Sequence, residues 1–187
     1  MEPASKLYVH VGRMDPAKNH PKLISAFHAL LQHEPAAKLL MVGGGKQDME
    51  QTMRTRVEAL GISDAIRFGG ERTDIPRLLQ AADLMIFPSV REGLPGAVLE
   101  ACAAGVPVLA SDLPVIKEIA PHLPLLRYLC VDDDDEQWAQ AALALHAEST
   151  LDNARDRAAQ AFRASPFIID NSARAHCLVW ESDRHPC

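Results

Sequence analysis

Six short apolar runs punctuate the first two thirds of the chain: KLYVHVG (6–12), KLLMVG (38–43), AIRFGG (65–70), DLMIFPS (83–89), VPVLAS (106–111) and RYLCVD (127–132). Each is apolar almost throughout rather than alternating, as in parallel strands covered on both faces, so each is predicted as a strand. Longer amphipathic stretches lie between them. HPKLISAFHALLQHE (20–34) and KQDMEQTMRTRVEALG (46–61) carry apolar residues at helical spacing. In the second, Met49, Met53, Val57 and Leu60 mark one face, and Gly61 stands where a terminating glycine belongs. TDIPRLLQAAD (73–83) and PGAVLEACAAG (95–105) predict shorter helices, the first capped by Thr73, the second opened by Pro95 near its first turn and closed by Gly105. LPVIKEIA (113–120) predicts another short helix, and residues 151–187 hold two more, broken around Ser165-Pro166.

Strand and helix alternating in this way imply an α/β fold: a doubly wound, parallel, six-stranded Rossmann-like sheet with helices on both faces. The 187 residues suffice for one domain, with a core over about 6–148 and a helical tail over about 150–187. Aromatic residues make up only 5% of the chain, so the core rests on Leu, Val, Ile and Ala. A net charge of −6 argues against bulk attraction to nucleic acid or to an anionic membrane. No stretch approaches a membrane span, and no signal peptide opens the chain, so a cytoplasmic location is expected. Cys102, Cys130, Cys177 and Cys187 form no C-x-x-C pair, and Cys102 and Cys130 lie in apolar surroundings, which reads as buried or free thiols. The four aspartates 132–135 could be mistaken for a metal cluster, but at a helix start they read as a cap.

Open α/β sheets bind ligands beyond the carboxyl ends of their strands, where the strand order reverses. With the assumed order 3-2-1-4-5-6, the reversal lies between strands 1 and 4. Strand 1 is followed by GRMDPAKNH, which supplies Arg13 and Lys18. Strand 4 is followed by SVREGLPGAVLE, which supplies Glu92, a turn containing Gly93 and Gly96, and a helix start. Two cations and a helix N-terminus suit a diphosphate. A carboxylate can accept from two adjacent hydroxyls, so Glu100 can hold a ribose diol and Glu92 a sugar. The glycines 43–45 match neither a dinucleotide fingerprint nor a P-loop and read as a tight turn whose backbone lines the crevice. His10 reads either as a half-buried strand histidine or as a group acting near the sugar. His20, His28 and His33 read as helix-start or surface residues. Glu118 reads as a ligand contact or a plain surface acid, and Cys102 as core.

These segments bear a family resemblance. VGRMDPAKN, LLMVGGG, LGISDAIRFGG, ADLMIFPSVREGLPGAVLEACAAGVPVLASD and IKEIA follow one another over roughly residues 6–135 in the order and spacing of the C-terminal, nucleotide-sugar-binding domain of family 4 (group 1) retaining glycosyltransferases of the GT-B fold. The E-x7-E pair, Glu92 and Glu100, is the most specific match. The resemblance implies transfer of a sugar from a UDP- or GDP-type nucleotide diphosphate sugar to a hydroxyl acceptor, a glycan or lipid-linked glycan, in polysaccharide biosynthesis. It implies that Arg13 and Lys18 bind the diphosphate, that Glu100 holds the ribose and Glu92 the donor sugar, and that backbone near Gly70–Thr73 packs the base. The expected donor-binding set is Gly12, Arg13, Lys18, Gly43, Gly70, Arg72, Glu92, Gly93, Leu94, Pro95, Gly96 and Glu100, with Arg13, Lys18 and Glu92 catalytic. No D-x-D pair follows a suitable strand, so neither a metal nor another cofactor is expected.

The family's full enzyme also has an acceptor-binding N-terminal domain, which is absent from this sequence, so little transfer by this chain alone is expected, and peripheral attachment at the inner membrane face is expected only of that full enzyme. LVWES resembles the family's last helix, and Leu178, Val179 and Trp180 form an expected apolar patch there. SDLPVIKE lacks the family's Gly-Gly-x-x-Glu form, although Glu118 fills its acidic position. Two rival readings are a stand-alone nucleotide-sugar-binding module and half of a sugar-nucleotide epimerase.

Overall fold

The computed structural model describes residues 5–182, and their side chains except those of residues 175, 176 and 178–182. The six strands are β1 (Leu7–Val11), β2 (Lys38–Val42), β3 (Ile66–Phe68), β4 (Leu84–Phe87), β5 (Val108–Ser111) and β6 (Leu126–Leu129). They form one sheet in the order β3-β2-β1-β4-β5-β6, every neighbouring pair parallel. The order reverses between β1 and β4, as assumed.

The helices are α1 (His20–Leu30), α2 (Gln47–Ala59), α3 (Ile75–Ala81), α4 (Gly96–Ala103), α5 (Pro114–Ile119), α6 (Asp135–Ser149), α7 (Ala154–Ala164) and α8 (Ile169–Ser182). Successive strand residues point to opposite faces, and the core divides accordingly. Tyr8, Leu39, Met41, Leu84, Ile86 and Leu109 join Phe27, Met53 and Trp138 on the face covered by α1, α2 and α6. Val9, Met85, Phe87, Val108 and Ala110 join Leu79, Val98, Ile116 and Phe162 on the face covered by α3, α4, α5 and α7. Burial on both faces is why the strands read as continuous apolar runs.

Most element ends fall within a few residues of the sequence expectation. Helix α1 stops at Leu30 rather than reaching residue 34. Asp74 rather than Thr73 holds the N-cap position of α3, without a side-chain capping bond, and Pro95 is the N-cap of α4 rather than part of its first turn. Gly105 does close α4: it sits at φ +71°, and a Cβ there would lie 2.5 Å from the Arg155 carbonyl oxygen on α7. Asp134 caps α6 in a reciprocal capping box with Gln137, a role the aspartate run anticipates. The Lys22 ammonium reaches the same corner, 2.8 Å from Asp135, and ties α1 to α6.

One expectation about a single side chain needs correction, that for His10, and two others gain detail. His20 opens α1 but is buried, because the ring turns inward onto His10. His10 is wholly rather than half buried. Cys130, just past the edge strand β6, is a free and exposed thiol, and Cys102 is buried, both within the reading of buried or free thiols. The apolar patch expected at Leu178, Val179 and Trp180 lies outside the described side chains, although the backbone there continues α8.

Candidate functional site

The loops after β1, β2 and β4 are held together by backbone hydrogen bonds that extend the sheet past its strands. Gly12 N–H donates to Val42 O at 2.8 Å and Met14 N–H to Gly44 O at 2.7 Å, binding the β1 loop to the β2 loop. Val90 N–H donates to Ala17 O at 2.8 Å, binding the β4 loop to the β1 loop from the other side. The buried Ser111 hydroxyl donates to Ser89 O and fixes the root of the β4 loop. The β1 loop is thus clamped at the switch point between its two neighbours. Within it, Asp15 accepts from Ala17 N–H at 2.9 Å and opens a single 3-10 turn, Pro16–Lys18, which delivers Lys18.

Gly43 makes the close approach possible. Its φ is +142°, a conformation L side chains rarely adopt, and a Cβ would lie 2.1 Å from Gly12 O. Its own N–H donates to Gly70 O at 2.9 Å, which joins Gly70 to the pair. Over Gly12 and Gly43 opens a cleft of about 610 Å³ lined by Val11, Gly12, Arg13, Val42, Gly43, Gly44, Glu71, Arg72, Thr73 and Ile75. A second basin of about 480 Å³ shares Arg13, Gly44 and Glu71 with it and adds Met14, Asp15, Pro16, Gly45, Lys46 and Met49. Apolar Val11, Val42 and Ile75 beside backbone and a few charged groups give a lining suited to a base and ribose.

Lys18 and Glu92, 74 residues apart in sequence, meet at 2.6 Å. The lysine side chain is 21% exposed and the carboxylate 8%. The ammonium also lies 5.1 Å from the centre of the Phe87 ring, a cation–π arrangement. His10 also stacks on Phe87, with ring centres 5.7 Å apart, and lies edge-on to His20 at 4.9 Å. Burial first, and then the neighbouring His20, push the His10 pKa down to about 3; the hydrogen bond to the Ile86 carbonyl opposes this, and the Lys18 charge adds a lesser downward push. Burial and the Lys18 charge push His20 down to about 4, and Asp15 opposes this. Both imidazoles are therefore neutral at ordinary pH.

The expected site residues separate into groups. Gly12, Arg13, Gly43 and Arg72 line the cleft together, and Gly70, outside its lining, is joined to it by the hydrogen bond from Gly43. Arg72 is exposed and engaged with Asp74 by two hydrogen bonds of 2.7 Å, which also lower the Asp74 pKa and raise that of Arg72. Lys18 and Glu92 form their pair beside the β1 loop. Gly93, Leu94, Pro95 and Gly96 form the turn into α4, with Leu94 74% exposed and no side chain capping the helix start. Glu100 stands exposed on α4, outside the linings of the two basins. Sequence reasoning missed the side chain of Glu71, which lines both basins and rests against Gly44, so that a Cβ on Gly44 would lie 2.2 Å from its Oε1. Its one signal was the place of its backbone in the Gly70–Thr73 stretch expected at the base. Among the described residues, no group of three or more His, Cys, Asp or Glu side chains converges as a metal site would require. No helix there is long and apolar enough to cross a membrane.

Known proteins share both sequence and fold with this chain. The family model for glycosyl transferases group 1 matches residues 2–163. A lipopolysaccharide core biosynthesis mannosyltransferase, LpsB of Rhizobium meliloti, is 31% identical over 186 residues, 97% of this chain and 53% of that protein. An N-acetyl-alpha-D-glucosaminyl L-malate synthase of Bacillus anthracis is 29% identical over 170 residues, 88% of this chain and 44% of that protein. The chain thus spans about half the length of these relatives. Among solved structures, HepE of Anabaena in complex with UDP-glucose superposes with a TM-score of 0.73 at 24% identity, over 94% of this chain and 49% of that one. A glycosyltransferase from Rickettsia africae superposes with a TM-score of 0.81 at 17% identity, over 96% of this chain and 48% of that one. The family match covers the β1 loop, the E-x7-E segment and the sheet that joins them, and the chain belongs to the group 1 glycosyl transferases.

Proposed function

We propose that this chain forms the donor-binding half of a retaining glycosyltransferase that moves a sugar from a nucleotide diphosphate sugar to a hydroxyl of a glycan or lipid-linked glycan. The observation that carries this reading is that Arg13, Lys18 and Glu92 all stand on the loops following β1 and β4, at the point where the strand order reverses, with Lys18 and Glu92 paired and Arg13 lining the cleft. The base occupies the cleft over Gly12 and Gly43, and the ribose diol is assigned to Glu100, which stands on α4 outside the lining of that cleft. The diphosphate lies between Arg13, Lys18 and the backbone N–H groups of the turn into α4. Glu92 faces the donor sugar.

In transfer, negative charge grows on the leaving diphosphate as the bond from the anomeric carbon to the phosphate oxygen lengthens. Arg13 and Lys18 are the cations available to that charge, and the α4 N–H groups add partial positive charge. With this countercharge supplied by side chains, donor binding is independent of a divalent metal. The 2.6 Å pair implies that Lys18 must loosen from Glu92 to engage a phosphate fully. The UDP-glucose complex of HepE and the mannosyltransferase name of LpsB support a sugar-nucleotide donor and a sugar-transfer reaction. Titration calorimetry against UDP-, GDP- and ADP-sugars tests the reading. Saturable binding of one nucleotide class, lost in Arg13→Ala, is the expected result, and no binding of any would overturn it.

A further inference from the structure

One buried group beside the site has no task in the mechanism above. His10 Nδ1 lies 2.9 Å from the carbonyl oxygen of Ile86. A carbonyl can only accept, so Nδ1 carries the proton and Nε2 presents a bare lone pair. His10 is 0% exposed, and among the described residues Nε2 has no hydrogen-bond partner. An acceptor buried unpaired is costly and calls for an explanation. The direction in which it points is informative. A Cβ on Gly12 would lie 3.0 Å from Nε2 and 3.3 Å from both Cγ and Cδ of Lys18. The lone pair and the lysine stem therefore flank one small space, kept open because residue 12 has no side chain. The lysine ammonium and the imidazole also share Phe87 as a wall.

We infer that Lys18 has two partners in turn, Glu92 before the diphosphate arrives and His10 Nε2 once it is bound. This rests on the diphosphate reading of the crevice. An ammonium has three donors, and Glu92 engages it from the β4 side. Phosphate oxygens seated on Arg13 and the α4 start draw the ammonium over Gly12, and one N–H then turns to the waiting lone pair. Two consequences follow together: the buried acceptor is satisfied, and the Glu92 carboxylate is released to the sugar hydroxyls. His10 is thus a positioning residue that acts through Lys18, and it couples occupation of the diphosphate site to the availability of Glu92.

The test uses the whole chain, labelled with ¹⁵N, and UDP as the probe, with GDP if UDP does not bind. Correlation spectra of the imidazole nitrogens report Nε2 of His10 directly. On saturation its resonance is expected to move upfield, as an unprotonated nitrogen does on accepting a hydrogen bond, and to stay put in Lys18→Met. In parallel, His10→Phe is expected to weaken binding roughly 2- to 12-fold in the wild-type background and to have no further effect in Lys18→Met. Shifts of the Gly12 and Arg13 amides with an unmoved Nε2 would overturn the exchange and leave the diphosphate reading standing, as would additive effects in the double variant. No amide shift with either nucleotide would overturn both. The wild-type spectra decide the matter even if His10→Phe does not fold.

Discussion

Replacing Glu92 by glutamine removes the charge from the Lys18–Glu92 pair while keeping its shape. The pair is short, 2.6 Å, and its carboxylate is 8% exposed, but the lysine side chain is 21% exposed and so partly screened. An exposed pair contributes about 0–1 kcal/mol, whereas breaking a buried one costs about 3–5 kcal/mol. This geometry lies between them, so Glu92→Gln should lower stability by about 1–2 kcal/mol. The effect on ligands has the opposite sign. A nucleoside diphosphate competes with Glu92 for Lys18, and removing the competitor returns what that competition cost, tightening diphosphate binding roughly 5- to 30-fold for the same 1–2 kcal/mol. The nucleotide sugar gains the same advantage but loses the carboxylate contact to its sugar, so the ratio of donor to diphosphate affinity falls. Urea unfolding measures the first quantity and titration calorimetry with UDP or GDP and the matching nucleotide sugar the second. A Glu92→Gln protein that is folded and binds the plain diphosphate no more tightly than wild type would refute the reasoning.

Other outcomes follow from the same geometry. Arg13→Ala should weaken nucleoside diphosphates about 10- to 150-fold and leave the bare nucleoside unaffected, because the bond lost is charge-assisted and specific to phosphate; equal losses for both ligands would place Arg13 elsewhere. Binding measured in EDTA should equal that in magnesium or manganese, and recovery only on adding metal would contradict the metal-independent reading. His10 and His20 have folded-state pKa values lowered to about 3 and about 4, so between those values and about 6.5 the unfolded chain binds more protons than the folded one. Stability should therefore be full above about pH 6.5 and fall as the pH descends, by at most about 2.7 kcal/mol per pH unit from these two groups, as urea unfolding between neutral and mildly acidic pH would reveal. Gly43→Ala should abolish ligand binding and destabilise the fold, since its Cβ would collide with Gly12 O at 2.1 Å; near-normal binding would show that the two loops are free to part.

Much of this architecture was legible because it is written in local patterns. The apolar runs at β1, β4 and β5 are short and continuous since both faces of the sheet are covered, and Gly61 and Gly105 mark helix ends through positive φ. Arg13, Lys18 and Glu92 could be singled out because each follows a strand that ends at the switch point. What local pattern cannot carry is which side chains then meet. Lys18 and Glu92 were expected on opposite jobs, phosphate and sugar, and nothing near either residue indicates that they pair across 74 positions. His20 reads as a polar helix start, and its burial comes with a ring contact to His10, ten residues earlier, that no local pattern indicates. Cys130 lies in apolar YLCV, which leaves a thiol open between buried and free, and the edge position that decides exposure is not given by sequence alone. The backbone of Glu71 falls within the Gly70–Thr73 stretch expected at the base, but its side chain acquires meaning only when Gly44 from another loop lies against it.

The central claim is that a nucleotide diphosphate sugar lies across the carboxyl ends of β1, β2 and β4. Backbone amide shifts, followed while the labelled chain is titrated with UDP-glucose and GDP-mannose, test it most directly. The account predicts saturable shifts concentrated at Gly12, Arg13, Gly43, Gly44, Glu71 to Thr73 and the turn into α4, for at least one of the two donors. Shifts centred on the opposite end of the sheet, at Lys38 and Ser63 to Arg67, or no saturable shifts with either donor, would contradict it.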